Sequence, residues 1–96
     1  MKKSNEQSLG QVIEELLVAY KLKSKLNEFR LIDSWEKIMG SAIAKRTEEL
    51  YIQKKVLYIR LNSAVLREEL FSARDKIMHM LNEEAGNQVI EEIFFK

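Results

Sequence analysis

The spacing of apolar residues changes in the middle of this chain and then changes back. The first set is Leu9, Val12, Ile13, Leu16, Leu17 and Tyr20, which traces one face of a helix. Ser8 stands before it as an N-cap. The segment Lys21–Lys25 follows, and Ser24 is expected to cap a second helix. That helix would carry Leu26, Phe29, Ile32, Trp35, Ile38 and Met39 and stop at Gly40, with a further turn or two over Ser41–Arg46.

From there the period is two. Leu50 and Ile52 point one way, and Glu49, Tyr51 and Gln53 point the other. The run Val56–Leu61 is rich in β-branched and aromatic residues. A two-residue turn at Lys54 and Lys55 would set Gln53 opposite Val56, Tyr51 opposite Tyr58 and Glu49 opposite Arg60. One face of the hairpin is then Leu50, Ile52, Leu57, Ile59 and Leu61. The helical period returns after Asn62 or Ser63, with a stripe of Val65, Leu66, Leu70, Ala73, Ile77, Met80 and Leu81 running to Gly86. Residues 88–96 read as a last strand.

The expected order is helix, helix, strand, strand, helix, strand. This is an α+β fold, with helices on one face of a small three-stranded sheet. Ninety-six residues, 46% of them hydrophobic, suffice for one core, so residues 9–96 are expected to form a single domain behind a flexible tail over 1–8. The absence of Pro favours uninterrupted helices. No apolar run approaches the roughly 20 residues of a membrane span. No membrane contact is expected, and a cytoplasmic location is.

Enzymatic chemistry has little to build on. There is no Cys, hence no thiolate nucleophile and no Cys-ligated metal. The one histidine, His79, lies near Asp75 and Glu83 at helical spacing, but zinc needs about four ligands. It reads as a surface residue. The acidic pairs Glu14–Glu15, Glu48–Glu49, Glu68–Glu69, Glu83–Glu84 and Glu91–Glu92 are adjacent in sequence, so on a helix they diverge rather than converge on a substrate. Gly10, Gly40 and Gly86 are too far apart for a phosphate-binding loop. Neither an enzyme nor a cofactor is expected.

Charge is uneven. Residues 1–60 carry 12 basic and 8 acidic side chains, and residues 61–96 carry 4 and 7. The basic residues cluster at Lys21, Lys23 and Lys25, at Lys45 and Arg46, and at the hairpin tip, Lys54 and Lys55. Such positions can meet nucleic-acid phosphates, although a domain devoted to DNA is usually more basic than net +1. A second candidate surface is the outward sheet face. Tyr51 and Tyr58 sit side by side there, and Phe94 joins them if Ile93 and Phe95 face inward. Exposed aromatics can anchor a protein partner, stack on bases or support self-association.

One stretch carries a family resemblance. It begins with Trp35, Gly40, the small-residue run Ser41–Ala44 and Thr47. It continues through the strand Leu57–Leu61 and ends with Ser63, Glu69 and Leu70 on a helix. In this order the residues resemble the bacterial DciA-like family, and residues 93–96 are similar to its last strand. The resemblance implies a KH-like domain that acts with the replicative helicase at the fork and contacts DNA. The chain lacks the Pro that often follows the Thr, and it has Leu66 where an aromatic is common. The expectation is therefore a non-enzymatic adaptor in DNA replication. It would bind the helicase and touch DNA weakly through Lys21, Lys23, Lys25, Lys45, Arg46, Lys54 and Lys55. The alternative is a pure protein-interaction module using Tyr51, Tyr58 and Phe94, a face that could also pair two copies.

Overall fold

A computed structural model describes residues 7–96. Of the tail expected over residues 1–8, residues 1–6 lie outside the described residues. Ser8 caps α1 (Leu9–Asp33) through a reciprocal pair: its Oγ accepts the Gln11 amide at 3.1 Å, and Gln11 Oε1 accepts the Ser8 amide at 3.0 Å. The helix break expected at residues 21–25 is absent. Nothing between Tyr20 and Leu26 is a Gly or Pro, and lysines are good helix formers, so α1 runs unbroken for 25 residues. The first helix boundary falls instead at Ser34, after which come α2 (Trp35–Met39) and α3 (Ser41–Lys45).

Gly40 makes the corner between these two short helices. Its φ of 92° is a region that side-chain-bearing residues rarely enter. The corner is tied by a relay. Trp35 Nε1 donates to Thr47 Oγ1 at 3.0 Å, and Thr47 Oγ1 donates to the Ile43 carbonyl at 2.8 Å. Trp35, Gly40 and Thr47 therefore fix how three helices deliver the chain into the first strand.

The sheet has β1 (Thr47–Gln53), β2 (Val56–Leu61) and β3 (Glu92–Phe95) in the order β1-β2-β3. The hairpin register is the one the alternation requires: Gln53 pairs with Val56, Tyr51 with Tyr58 and Glu49 with Arg60. Lys54 and Lys55 form the two-residue turn with φ of 49° and 66°. Positive φ at both positions matches the turn to the right-handed twist of the strands, despite the absence of Asn or Gly. β3 runs parallel to β2, with Tyr58 opposite Phe94.

The return helix is two helices, α4 (Ala64–Ser72) and α5 (Arg74–Ala85). The chain leaves helical geometry at Ala73, where φ is −103° and ψ is 16°. The expected stripe keeps its phase across the break, since Leu70, Ile77 and Leu81 stay on one face. Leu70, Ile77, Leu81 and Ala85 are buried and Met78 packs against them, whereas Val65 is 73% exposed. The last strand is also shorter than expected, because residues 87–91 form a turn. Asn82 holds that turn: its Oδ1 accepts the amides of Val89 and Ile90, and its Nδ2 donates to the Ile90 carbonyl.

The core lies between the helices and the inner sheet face. Leu31, Leu57, Ile59, Leu81 and Ile90 are fully buried, with Trp35, Leu61 and Ile93 close behind. Leu26 and Phe29 do not join it. They are 47% and 64% exposed, since an unbroken α1 keeps the phase of Leu31 and turns them to solvent. One prediction tests the corner relay. Thr47→Val strands the buried Trp35 N–H and should cost about 1–3 kcal/mol in urea denaturation, against well under about 1 kcal/mol for Thr47→Ser. Equal effects of the two substitutions would show that the relay contributes nothing.

Candidate binding surfaces

The outer sheet face is three rows deep. The middle row is aromatic. Tyr51 and Tyr58 stack with centroids 5.0 Å apart and planes 13° from parallel, and Phe94 meets Tyr58 at 5.7 Å, tilted by 59°. The register puts them there, since Tyr51, Tyr58 and Phe94 are direct cross-strand neighbours on the face turned away from the helices. Ile93 is buried on the other face and Phe95 packs against the core, which turns Phe94 outward at 50% exposure. The two tyrosines shelter each other and are only half-exposed.

The next row is charged. Glu49 accepts from Arg60 Nε at 3.0 Å and from Lys96 Nζ at 2.8 Å, so one carboxylate ties all three strands together at that level. Lys96 also lies 5.1 Å from the Tyr51 ring centroid. The hydrogen bond from Lys96, then that from Arg60, holds the Glu49 carboxyl below its ordinary value. The same bond to Glu49 raises the Lys96 ammonium above its own. A depressed carboxyl stabilises the fold above its unfolded pKa, and the benefit disappears as pH falls through the folded value. A raised ammonium stabilises below its unfolded pKa, and that benefit is lost as pH rises through the folded value.

The basic residues do not make one patch. Lys45 and Arg46 sit at the start of β1, and Lys54 and Lys55 at its far end, about 23 Å away along a seven-residue strand. Arg46 approaches Asn62 Oδ1 at 3.4 Å, and Lys55 pairs with Glu91 at 3.7 Å. On α1 the three lysines divide. At about 100° a residue, Lys21 and Lys25 lie along one margin of an exposed apolar stripe and Lys23 and Arg30 along the other. That stripe is Val18, Leu22, Leu26 and Phe29, all at least 47% exposed. Sequence reasoning missed it. The signal is four apolar residues three or four apart, but a helix boundary expected at Ser24 divides Val18 and Leu22 from Leu26 and Phe29. Lys23 lines one cleft with Tyr20 and Asn87, while the hairpin tip is tied separately, the Glu91 amide donating to the Lys55 carbonyl.

His79 lies on the surface beside Glu83, at 3.4 Å. Among the described residues no three His, Asp or Glu side chains gather where they could hold a metal ion. No helix among them is long and apolar enough to cross a membrane.

The arrangement defines a class: a small α+β domain whose chemistry-bearing side chains face outward, on an aromatic sheet face and dispersed basic points. Residues 8–95 match the family described as "Dna[CI] antecedent, DciA", and the chain belongs to that DciA family. Membership points to helicase loading in DNA replication rather than to an enzymatic reaction. No curated protein matches the chain.

The ion network yields a prediction. Between neutral pH and about pH 3, where free carboxylates protonate, the wild type should lose more stability than Glu49→Gln. Urea midpoints across that range would show it; parallel curves would mean that Glu49 has no net role.

Proposed function

We propose that this protein is a non-enzymatic adaptor in DNA replication, which binds the replicative helicase and contacts DNA weakly through its basic clusters. The observation that carries this reading is the family match over residues 8–95, nearly the whole chain. The family domain over residues 9–96 is then the working unit, a KH-like domain in shape, placed in the cytoplasm where replication occurs. No Gly-x-x-Gly spacing exists, so the grip on nucleic acid would not be that of a KH loop.

The geometry supports weak DNA contact. Lys21, Lys23, Lys25, Lys45, Arg46, Lys54 and Lys55 are long, outward side chains at two ends of the sheet and along α1, reaching a few phosphates each rather than forming a groove. With two to four phosphates engaged, affinity should fall roughly ten- to hundredfold between about 50 and 200 mM salt. Lys54→Glu with Lys55→Glu should weaken binding further and flatten that slope. Fluorescence anisotropy with a labelled oligonucleotide reads both, and salt-insensitive binding would refute the reading.

A second reading has its own observation. The ordered row Tyr51, Tyr58 and Phe94 fits a pure protein-interaction module with no nucleic-acid role. Tyr58→Ala would then weaken helicase capture by about tenfold or more, as central aromatic anchors do. The double charge reversal at Lys54 and Lys55 would leave capture unchanged. Surface plasmon resonance with immobilised helicase separates the two.

A further inference from the structure

The body of this protein ends well before α1 does. Every residue from Leu9 to Lys23 is exposed, about 22 Å of helix, and among the described residues only its end, Tyr20 and Lys23, borders the rest of the fold, at the cleft with Asn87. The molecule measures 62 × 21 × 21 Å, with a radius of gyration of 17.9 Å. A compact chain of this length would have about 12.5 Å. A lone helical stretch of this length is marginal in water, because helices draw most of their stability from covering an apolar face. This arm has such a face, and none of the described residues covers it. Leu9, Val12, Ile13, Leu16, Leu17 and Tyr20 are 37% to 76% exposed. They continue, turn by turn, the side of α1 that buries Leu31 in the core.

We infer that this arm pairs antiparallel with the same arm of a second copy of the chain, Leu9 opposite Tyr20 and Ile13 opposite Leu16. The face suits its own copy. No charge interrupts it over residues 9–20, since Glu14 and Glu15 lie on the far side of the helix, and its margins carry the small residues Gly10 and Ala19. The six side chains offer roughly 600 Å² a copy, about 1,200 Å² for the pair, which reaches the lower bound of a stable interface. The next residue on the same face, Lys23, sets the direction. A parallel pair would stack Lys23 on Lys23, whereas the antiparallel one leaves it beyond the end of the partner's stripe. The projecting arm also keeps the two bodies apart, one at each end of the pair. This interface is independent of the adaptor reading and distinct from the outer sheet face, which it leaves open.

Light scattering after size exclusion tests it. The wild type should run at twice the 11.3 kDa chain mass at micromolar concentration. Leu16→Glu should run as a monomer that still unfolds in one cooperative Trp35 fluorescence transition, at a midpoint no higher than the wild type's, and Tyr58→Glu should remain dimeric. A wild-type monomer, a dimer that survives Leu16→Glu, or a dimer split by Tyr58→Glu would overturn the proposal. The chain has no Cys, so single thiols report direction cleanly. A mixture of Leu9→Cys and Tyr20→Cys should form the mixed disulfide faster than either variant crosslinks alone, and equal rates would refute the antiparallel arrangement.

Discussion

The inner face of β2 is the surface to which everything else is fastened. β2 is the strand with a neighbour on each side, and its Leu57 and Ile59 are wholly buried, with Leu61 nearly so. The helices of this chain pack on one face of the three-stranded sheet. The other face must then survive in water. It does so by keeping its aromatics in one row, where Tyr51 and Tyr58 cover each other, and by a charged row beside them where Glu49 serves both Arg60 and Lys96.

The hairpin was legible because its period of two admits one register. A slip of one residue would send Leu57 and Ile59 into solvent, which costs far more than two lysines in left-handed geometry, at about 1–2 kcal/mol each. Apolar burial therefore overrode poor turn chemistry at Lys54 and Lys55. Helix boundaries were less legible. The basic run Lys21–Lys25 looks like punctuation but contains no helix breaker, and α1 passes through it. The break at Ala73 is the converse: no Gly or Pro marks it, and Leu70 and Ile77, seven residues apart, would share a face with or without it. Asn82 gave no signal at all. A polar residue inside a helical pattern reads as solvated until the turn it holds, eight residues on, is folded beside it.

For the binding surfaces, the contrast between aromatics and lysines is instructive. Tyr51, Tyr58 and Phe94 could be placed together because cross-strand pairing converts sequence register directly into proximity. The basic clusters could not. Alternating lysines on a helix diverge by about 200°, so Lys23 parts from Lys21 and Lys25. Neighbouring clusters in sequence were also sent to opposite ends of a strand. Clustering along a chain is evidence of a patch only where the intervening backbone brings the side chains round to the same side.

The uneven charge of the chain has a structural consequence. The basic first part and the acidic last part do not remain separate poles, because the return of α5 and β3 lays the second against the first. Lys37 meets Glu84, and Lys55 meets Glu91 at 3.7 Å. Such exposed pairs add little to stability. Their larger effect is on the surrounding field, since a lysine beside a carboxylate attracts a phosphate less than one standing alone. Two of the basic side chains of the first part, Lys37 and Lys55, are in this way paired with acids of the last. What is left outward-facing is scattered single charges beside apolar stripes and an aromatic row. That distribution suits several modest contacts held at once better than one tight grip. Several weak sites on one small body gain from effective concentration when their partners are themselves joined, as a helicase and the strand it encircles would be.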